Sequence, residues 1–358
     1  MIDLDDLLRM MVNLRGSDLH VKTGRPPIFR IDGKVTPSNL DKLTPEVVQQ
    51  YAQKVLREEA LRVRFKEHYA ADMSYVVPDL GRFRTNVFTY RGQIGIMFRN
   101  LSQSPTVDSL ELPLVVKTFA QYPKGLVLVT GPAGSGKSTT LASIINEVNL
   151  SRTVHILTLE DPIEYQFEDN KAEISQREVG LDTPSYKEGL RDAMREDPNV
   201  ILVGEMRDTE TISTVLTAAE TGHLVFSTLH TKGAAQSISR IVDVFPPEHQ
   251  QQVRIQLADT LIGVVSQSLM RRKDGGGRIA AVEVLINNVA IARSIEKNEL
   301  NKVKELMEEG VGFYRMQTLN QSLTALIANG VIDRKDAEKA SPSKGDLDLL
   351  LHRYEVNA

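Results

Sequence analysis

Apolar and polar positions alternate differently along three stretches of the chain. In the first hundred residues Leu4, Leu7, Leu8, Met11 and Val12 recur at helical spacing and predict a helix with one core-facing side. Gly24-Arg25-Pro26-Pro27 reads as a turn, and Ile28–Ile31 followed by Asp32-Gly33 as a strand and hairpin turn. Thr44-Pro45 supplies an N-cap and a first-turn proline, so a second helix starts there. Residues 72–99 alternate apolar and polar in short runs separated by glycine, which predicts a small antiparallel sheet. Residues 1–100 therefore read as a compact α+β domain. The Ser-, Pro- and Asp-bearing stretch 101–113 reads as a linker.

From residue 114 the pattern changes. The apolar runs Leu126–Thr130, Val154–Leu159, Val200–Val203 and Leu224–Ser227 alternate with helical stretches, predicting a mainly parallel sheet covered by helices. Pro246-Pro247 introduce what the periodicity reads as one long amphipathic helix. It would end near Arg271-Arg272-Lys273, where cations suit the C-terminal end of the dipole. Gly275-Gly276-Gly277 reads as a turn and Arg278–Ile286 as a strand. The expectation is an α/β domain over 114–286 and a region of short helices over 287–358, with no internal repeat.

Composition narrows the function. With 358 residues, 41% hydrophobic and 25% charged, the chain is an ordinary globular protein of about two domains. Lys plus Arg number 43 against 47 Asp plus Glu, a balance that argues against coating nucleic acid. There is no cysteine, hence no disulfide and no thiolate zinc site. The start, Met1-Ile2-Asp3-Leu4-Asp5-Asp6, is acidic and unlike a signal peptide. No apolar run approaches the ~20 residues of a membrane helix. The chain reads as cytoplasmic, with no transmembrane segment.

The chemistry concentrates behind the run Leu126–Thr130. Gly131-Pro132-Ala133-Gly134-Ser135-Gly136-Lys137-Ser138 matches the Walker A pattern, between an apolar strand and a helix with Leu141, Ile144, Ile145 and Val148 on one face. Glycines let backbone N–H groups wrap phosphates, and the helix N-terminus adds positive potential. Lys137 can reach the β- and γ-phosphates of ATP, and Ser138 can hold Mg²⁺. Acidic partners are expected at neighbouring strand ends, and two segments supply them. Val200–Val203 runs into Gly204-Glu205-Met206-Arg207-Asp208; Gly204 stands where a Walker B aspartate is usual, so Glu205 is expected to polarise Mg²⁺ or its water. Val154–Leu159 runs into Glu160-Asp161-Pro162-Ile163-Glu164, where one carboxylate can orient or deprotonate the attacking water. His223 and His230 bracket a fourth strand and read either as γ-phosphate sensors or as capping and solvated histidines. Arg82, Arg84, Arg91 and Arg99 fall on predicted strands, as solvated faces or as arginine fingers.

These motifs, in this order, resemble the secretion and pilus ATPases of the RecA-like P-loop class over nearly the whole chain. Gly16-Ser17-Asp18-Leu19-His20 with Gly24-Arg25-Pro26-Pro27 looks like the start of that family's PAS-like N-terminal domain. Glu160–Glu164 resembles its Asp box, Gly204–Asp208 its Walker B and Thr221-Gly222-His223 through His230 its His box. The resemblance implies a RecA-like P-loop ATPase domain behind a PAS-like α+β domain, with a helical C-terminal region. It implies nucleotide contacts from Gly131, Pro132, Ala133, Gly134, Ser135, Gly136, Lys137, Ser138, Thr139, Glu160 and His223, and metal contacts from Ser138 and Glu205. It gives catalytic roles to Glu164, Glu205 and His230, and to Arg84, Arg91 and Arg99 as fingers. Within the class the chain is most similar to type IV pilus retraction ATPases of PilT/PilU type. Asp18-Leu19-His20 comes almost at the start, and the four-cysteine zinc module of many extension and secretion ATPases is missing. Ala219–His223 and Arg240–Pro246 also look retraction-type. One stretch departs: Ala290-Ile291-Ala292-Arg293-Ser294-Ile295-Glu296-Lys297 stands where PilT-type motors carry Ala-Ile-Arg-Asn-Leu-Ile-Arg-Glu. Val282–Asn287 and Gly345–Leu350 look closer to the PilU branch. The resemblance implies a homohexamer at the inner-membrane base of a pilus, working on a platform protein, with a second retraction ATPase as a further partner. An accessory PilU-like motor and a pilus extension or type II secretion ATPase are the alternatives inside the class. Outside it, a nucleic-acid translocase is disfavoured by the balanced charge and 5% aromatics, and a non-hydrolysing scaffold by the intact acidic residues.

Overall fold

The computed structural model describes residues 2–14, 16–31, 34–100 and 104–354. The Asp32-Gly33 turn and residues 101–103 of the expected linker lie outside them. The chain forms two compact units, one of residues 1–103 with 162–166, the other of 104–161 with 167–358.

In the first unit β1 (Asp18–Lys22), β2 (Ile28–Ile31), β3 (Lys34–Pro37), β4 (Ala70–Val77), β5 (Gly81–Tyr90) and β6 (Gln93–Asn100) form one antiparallel sheet. Its order is β3-β2-β1-β6-β5-β4. Three helices accompany it: α1 (Leu4–Asn13), α2 (Pro45–Val55) and α3 (Glu59–His68). The Asp3 carboxylate caps α1, and Thr44 caps α2 ahead of Pro45, as the N-cap pattern predicts. Leu4, Leu7, Leu8 and Met11 are fully buried and share one core with Leu19, Phe83, Val87 and Phe98. Strand periodicity then puts Arg84 and Arg99 on the opposite face of the sheet from Phe83 and Phe98.

The second unit holds β7 (Gly125–Thr130), β8 (His155–Glu160), β9 (Glu173–Glu178), β10 (Val200–Val203), β11 (Leu224–Leu229), β12 (Leu261–Arg271) and β13 (Arg278–Ile286). They order as β13-β12-β7-β11-β10-β8-β9, and every pairing except β12–β13 is parallel. Strands β7, β10 and β11 are buried along their whole length, as expected of a sheet covered on both faces. The helices are α4 (Val115–Thr118), α5 (Lys137–Ser151), α6 (Tyr186–Ala193), α7 (Thr209–Glu220), α8 (Ala234–Asp243) and α9 (Pro247–Thr260). The C-terminal region adds α10 (Val289–Glu296), α11 (Val303–Glu309), α12 (Val311–Tyr314), α13 (Leu319–Ala328), α14 (Arg334–Ala340) and α15 (Lys344–Arg353). Residues 104–113 belong to this unit. Val107 is fully buried, and the Asn146 amide donates to the carbonyls of Ser104 and Pro105.

The long helix expected after Pro246-Pro247 is corrected. Helix α9 stops at Thr260, and Leu261–Arg271 is strand β12. No glycine or proline separates the two, and the first seven residues of β12 are all buried. A strand buried on both faces has no alternation to set it apart from a buried helix. Strand β13 ends the sheet. Its outer side is taken up by the C-terminal region: Gln317 exchanges backbone hydrogen bonds with Val284, its side-chain amide donates to Val282 O, and Ser322 Oγ accepts from Val282 N. Among the described residues no helix is long and apolar enough to cross a membrane.

Candidate active site

Strand β7 delivers the chain into the glycine-rich loop at its C-terminal end, and α5 begins at Lys137. Three glycines of the loop take backbone angles that favour glycine, Gly134 among them at φ 75°. Gly131 has φ 146°, and a Cβ on it would stand 2.4 Å from Gln267 O and 2.5 Å from Ser135 Oγ. Gly136 opens α5 from the left-handed region, φ 88°. The Lys137 ammonium is buried under the loop, donating to Gly131 O at 2.9 Å and Pro132 O at 3.2 Å. It also lies 3.4 Å from Nδ1 of His230. On the other side of that ring, Nε2 is 3.2 Å from Glu205 Oε1, while Arg207 pairs with Glu205 Oε2 at 2.7 Å. An ammonium can only donate, so Nδ1 accepts from Lys137 and Nε2 carries the proton toward Glu205. The structure thus joins the Walker A lysine, the His230 ring and the Walker B glutamate in one line. Burial works against ionising Glu205, but the hydrogen bond and charge of Arg207 and the neighbouring His230 outweigh it. The carboxyl is held below its usual range and stays charged.

The Asp box is placed less tightly. Glu160 is the last residue of β8, and its Oε1 accepts from Thr158 Oγ1 at 2.7 Å and Gln176 Nε2 at 3.2 Å. Asp161 and Glu164 are exposed, and Glu164 lies in the segment 162–166 that belongs to the first unit. A side chain at Gly204 would be crowded. A Cβ would meet the Tyr186 hydroxyl at 2.7 Å and Leu159 O at 3.2 Å. Burial pushes that phenol well above its ordinary range, and the carboxylates of Asp161, Glu205 and Glu160 push the same way.

Two expectations change on placement. His223 precedes β11 at the end opposite to His230, because β11 runs parallel to β7 with Leu224 beside Gly125 and Leu229 beside Thr130. A six-residue strand spans about 20 Å, so His223 does not reach the phosphate loop of its own chain. Its Nδ1 instead lies 3.0 Å from Ala218 O, at the end of α7. Arg91 is not on a strand. With Gly92 it forms the two-residue turn joining β5 to β6, at φ 49° and 74°. Arg84 and Arg99 are register partners near the other end of the same hairpin, about 20 Å along. Arg99 pairs with Asp18, which is 3% exposed, at 2.8 Å, and Arg30 adds a second contact at 3.2 Å. The arginines therefore occupy two separate places.

Sequence reasoning missed Gln267, which lies on β12 against the loop and bonds both Ser135 O and Thr140 Oγ1. The β-branched pair Val264-Val265 was the signal that could have marked a strand there. The loop fits a phosphate. Ser135 Oγ is buried with no hydrogen-bond partner among the described residues, and the α5 N-terminus opens beside it.

Comparison with known proteins agrees with this geometry. The family described as Type II/IV secretion system protein matches residues 100–341. Over 341 residues the chain is 45% identical to the type IV pilus retraction ATPase PilT of Pseudomonas aeruginosa, covering 95% of this chain and 98% of that protein. It is 37% identical over 351 residues to the type IV pilus ATPase PilU of the same organism, covering 98% and 91%. The crystal structure of the pilus retraction motor PilT with bound ADP matches at a TM-score of 0.90 and 45% identity, across 98% of this chain and 100% of that one. The likeness runs through both units and not only through the widely shared P-loop, so the chain belongs to the Type II/IV secretion system protein family, among its type IV pilus retraction ATPases.

Proposed function

We propose that this chain hydrolyses ATP with Mg²⁺ as a ring of six copies and drives pilus retraction, and with it twitching, from the cytoplasmic face of the inner membrane. The observation that carries this is 45% identity to a retraction ATPase along nearly the full length of both chains. In this reading backbone N–H groups between Ala133 and Thr139 hold the phosphates, Gly131 and Pro132 shape the loop around them, and Lys137 neutralises them. Ser138 and Glu205 hold Mg²⁺ or its water, and the ion's charge is what it supplies when bound. Glu164 orients the attacking water, with Glu160 as the alternative. His230, set between Lys137 and Glu205, senses whether the γ-phosphate is present. An arginine of a neighbouring copy stabilises charge on the transferred group. The partners are an inner-membrane platform protein and a second retraction ATPase.

Identity is higher to PilT than to PilU, 45% against 37%, which supports a primary over an accessory motor. The departure at Ala290–Lys297 falls on α10 and just beyond it, where Lys297 is exposed. Exposed positions such as Lys297 tolerate divergence, whereas Ser294, in place of a leucine, is buried. The test is complementation of a strain lacking all retraction ATPases. This chain alone should restore retraction, and the Lys137→Ala variant should not. Restoration only beside a PilT-type partner would favour the accessory reading. Loss of pilus assembly on deletion in the host would overturn retraction altogether.

A further inference from the structure

Strand β12 is longer than the strand beside it. Its register with β7 ends at Ser266 opposite Thr130, where β7 turns into the P-loop. Gln267 is the next residue, so its side chain faces the loop. It is 2% exposed. Its Nε2 donates to Ser135 O at 2.6 Å, and its Oε1 accepts from Thr140 Oγ1 at 2.9 Å. A carbonyl only accepts, so the NH₂ end must face Ser135 and the amide has one orientation. Thr140 is itself 2% exposed, on the first turn of α5. The same amide nitrogen stands 3.1 Å from where a Cβ on Gly136 would be.

The peptide between Ser135 and Gly136 is planar and its C=O and N–H point in opposite directions. Holding Ser135 O on Gln267 therefore turns the Gly136 N–H away from β12. Phosphate is bound by N–H groups of this loop, so the direction of that one vector matters. We propose that Gln267 is a positioning residue of the nucleotide site. Its carboxamide, braced by Thr140, sets the Ser135–Gly136 peptide so that the Gly136 N–H faces the phosphates. The proposal rests on the reading of this loop as the ATP site.

The test uses the full chain, with ADP and ATP as probes. Gln267→Leu keeps the bulk and removes both hydrogen bonds. It should raise the Kd for ADP and the KM for ATP by about ten- to a hundredfold, with a much smaller change in kcat, because a ground-state contact is lost. Thr140→Val should weaken ADP binding in the same direction, and Thr140→Ser, which keeps the hydroxyl, should recover it. In the double variant the two effects should not add. A role confined to packing would lower the melting temperature and leave the Kd within twofold of wild type, and that result overturns the proposal. If Gln267→Leu does not fold, the Thr140→Val and Thr140→Ser pair decides: equal Kd values for the two would sink it. Wild-type protein that failed to bind ADP would overturn the nucleotide reading and this inference with it, whereas wild-type binding with an indifferent Gln267→Leu overturns the inference alone.

Discussion

At Gly204 a steric reason replaces a missing residue. Just beyond β10, the Tyr186 hydroxyl stands 2.7 Å from where a Cβ on Gly204 would be, so the aspartate usual at this point of a Walker B would crowd it. Gly204→Ala should destabilise the protein by about 1–3 kcal/mol, the range for overpacking a filled site. Tyr186→Phe in the same chain should recover part of that, since it removes the clashing oxygen. Equilibrium unfolding of the single and double variants measures it; a Gly204→Ala protein as stable as wild type would sink the steric account. At this scale the P-loop residues and Glu205 were legible because local sequence dictates them. Glycines at φ values closed to other residues and a carboxylate after a buried strand leave few alternatives. Tyr186 was not legible, because its hydroxyl reaches Gly204 from a different element. The placement of His223 was in principle readable. In parallel strands only the carboxyl ends face the ligand crevice, and a histidine before the strand sits at the wrong end.

Among elements, the one misread strand concealed a positioning residue. With Leu261–Arg271 taken as helix, Gln267 had no reason to approach the P-loop; as a strand longer than β7 it has no other place to go. The adjacent rung carries Glu283, paired in register with Ser266. Its carboxylate accepts from the N–H of Ala234 at 2.7 Å and from that of Leu319, so it serves the first turns of α8 and α13 together. Burial pushes its carboxyl above the ordinary range, against the pull of those two donors. A carboxyl raised in the folded state stabilises folding fully below its ordinary value, and that stability is lost as pH rises through the folded value. Glu283→Gln keeps an acceptor without the charge. It should match or exceed wild-type melting temperature at pH 8 and lose that advantage in acid. Glu283→Leu strands two N–H donors and should cost about 1–3 kcal/mol for each. A Glu283→Gln protein much less stable than wild type at pH 8 would refute this.

On the scale of the whole molecule, the proposed ring can be tested with inactive chains. If Arg84 acts on ATP bound by a neighbouring copy, Arg84→Ala and Glu164→Gln should each be inactive alone. Mixed, they should regain ATPase activity at interfaces that combine an intact arginine with an intact glutamate. No gain on mixing, or near-normal turnover by Arg84→Ala alone, would exclude that role. Arg84 is a better probe than Arg99, whose loss would also strip a partner from buried Asp18. The alternating pattern of the first hundred residues and the parallel sheet after residue 114 were legible from periodicity. The relation between the sheet and the last seventy residues was not, because contacts across the chain leave no period. Those residues occupy the rim of the sheet: Gln317 and Ser322 take the backbone groups of Val282 and Val284 that β13 would otherwise turn outward. An uncovered rim of this kind recruits strands from other chains and seeds aggregation. The C-terminal helices thus act as a seal against polymerisation, and a fragment cut after Ile286, where the pattern changes, would keep every phosphate-binding residue and lose its solubility.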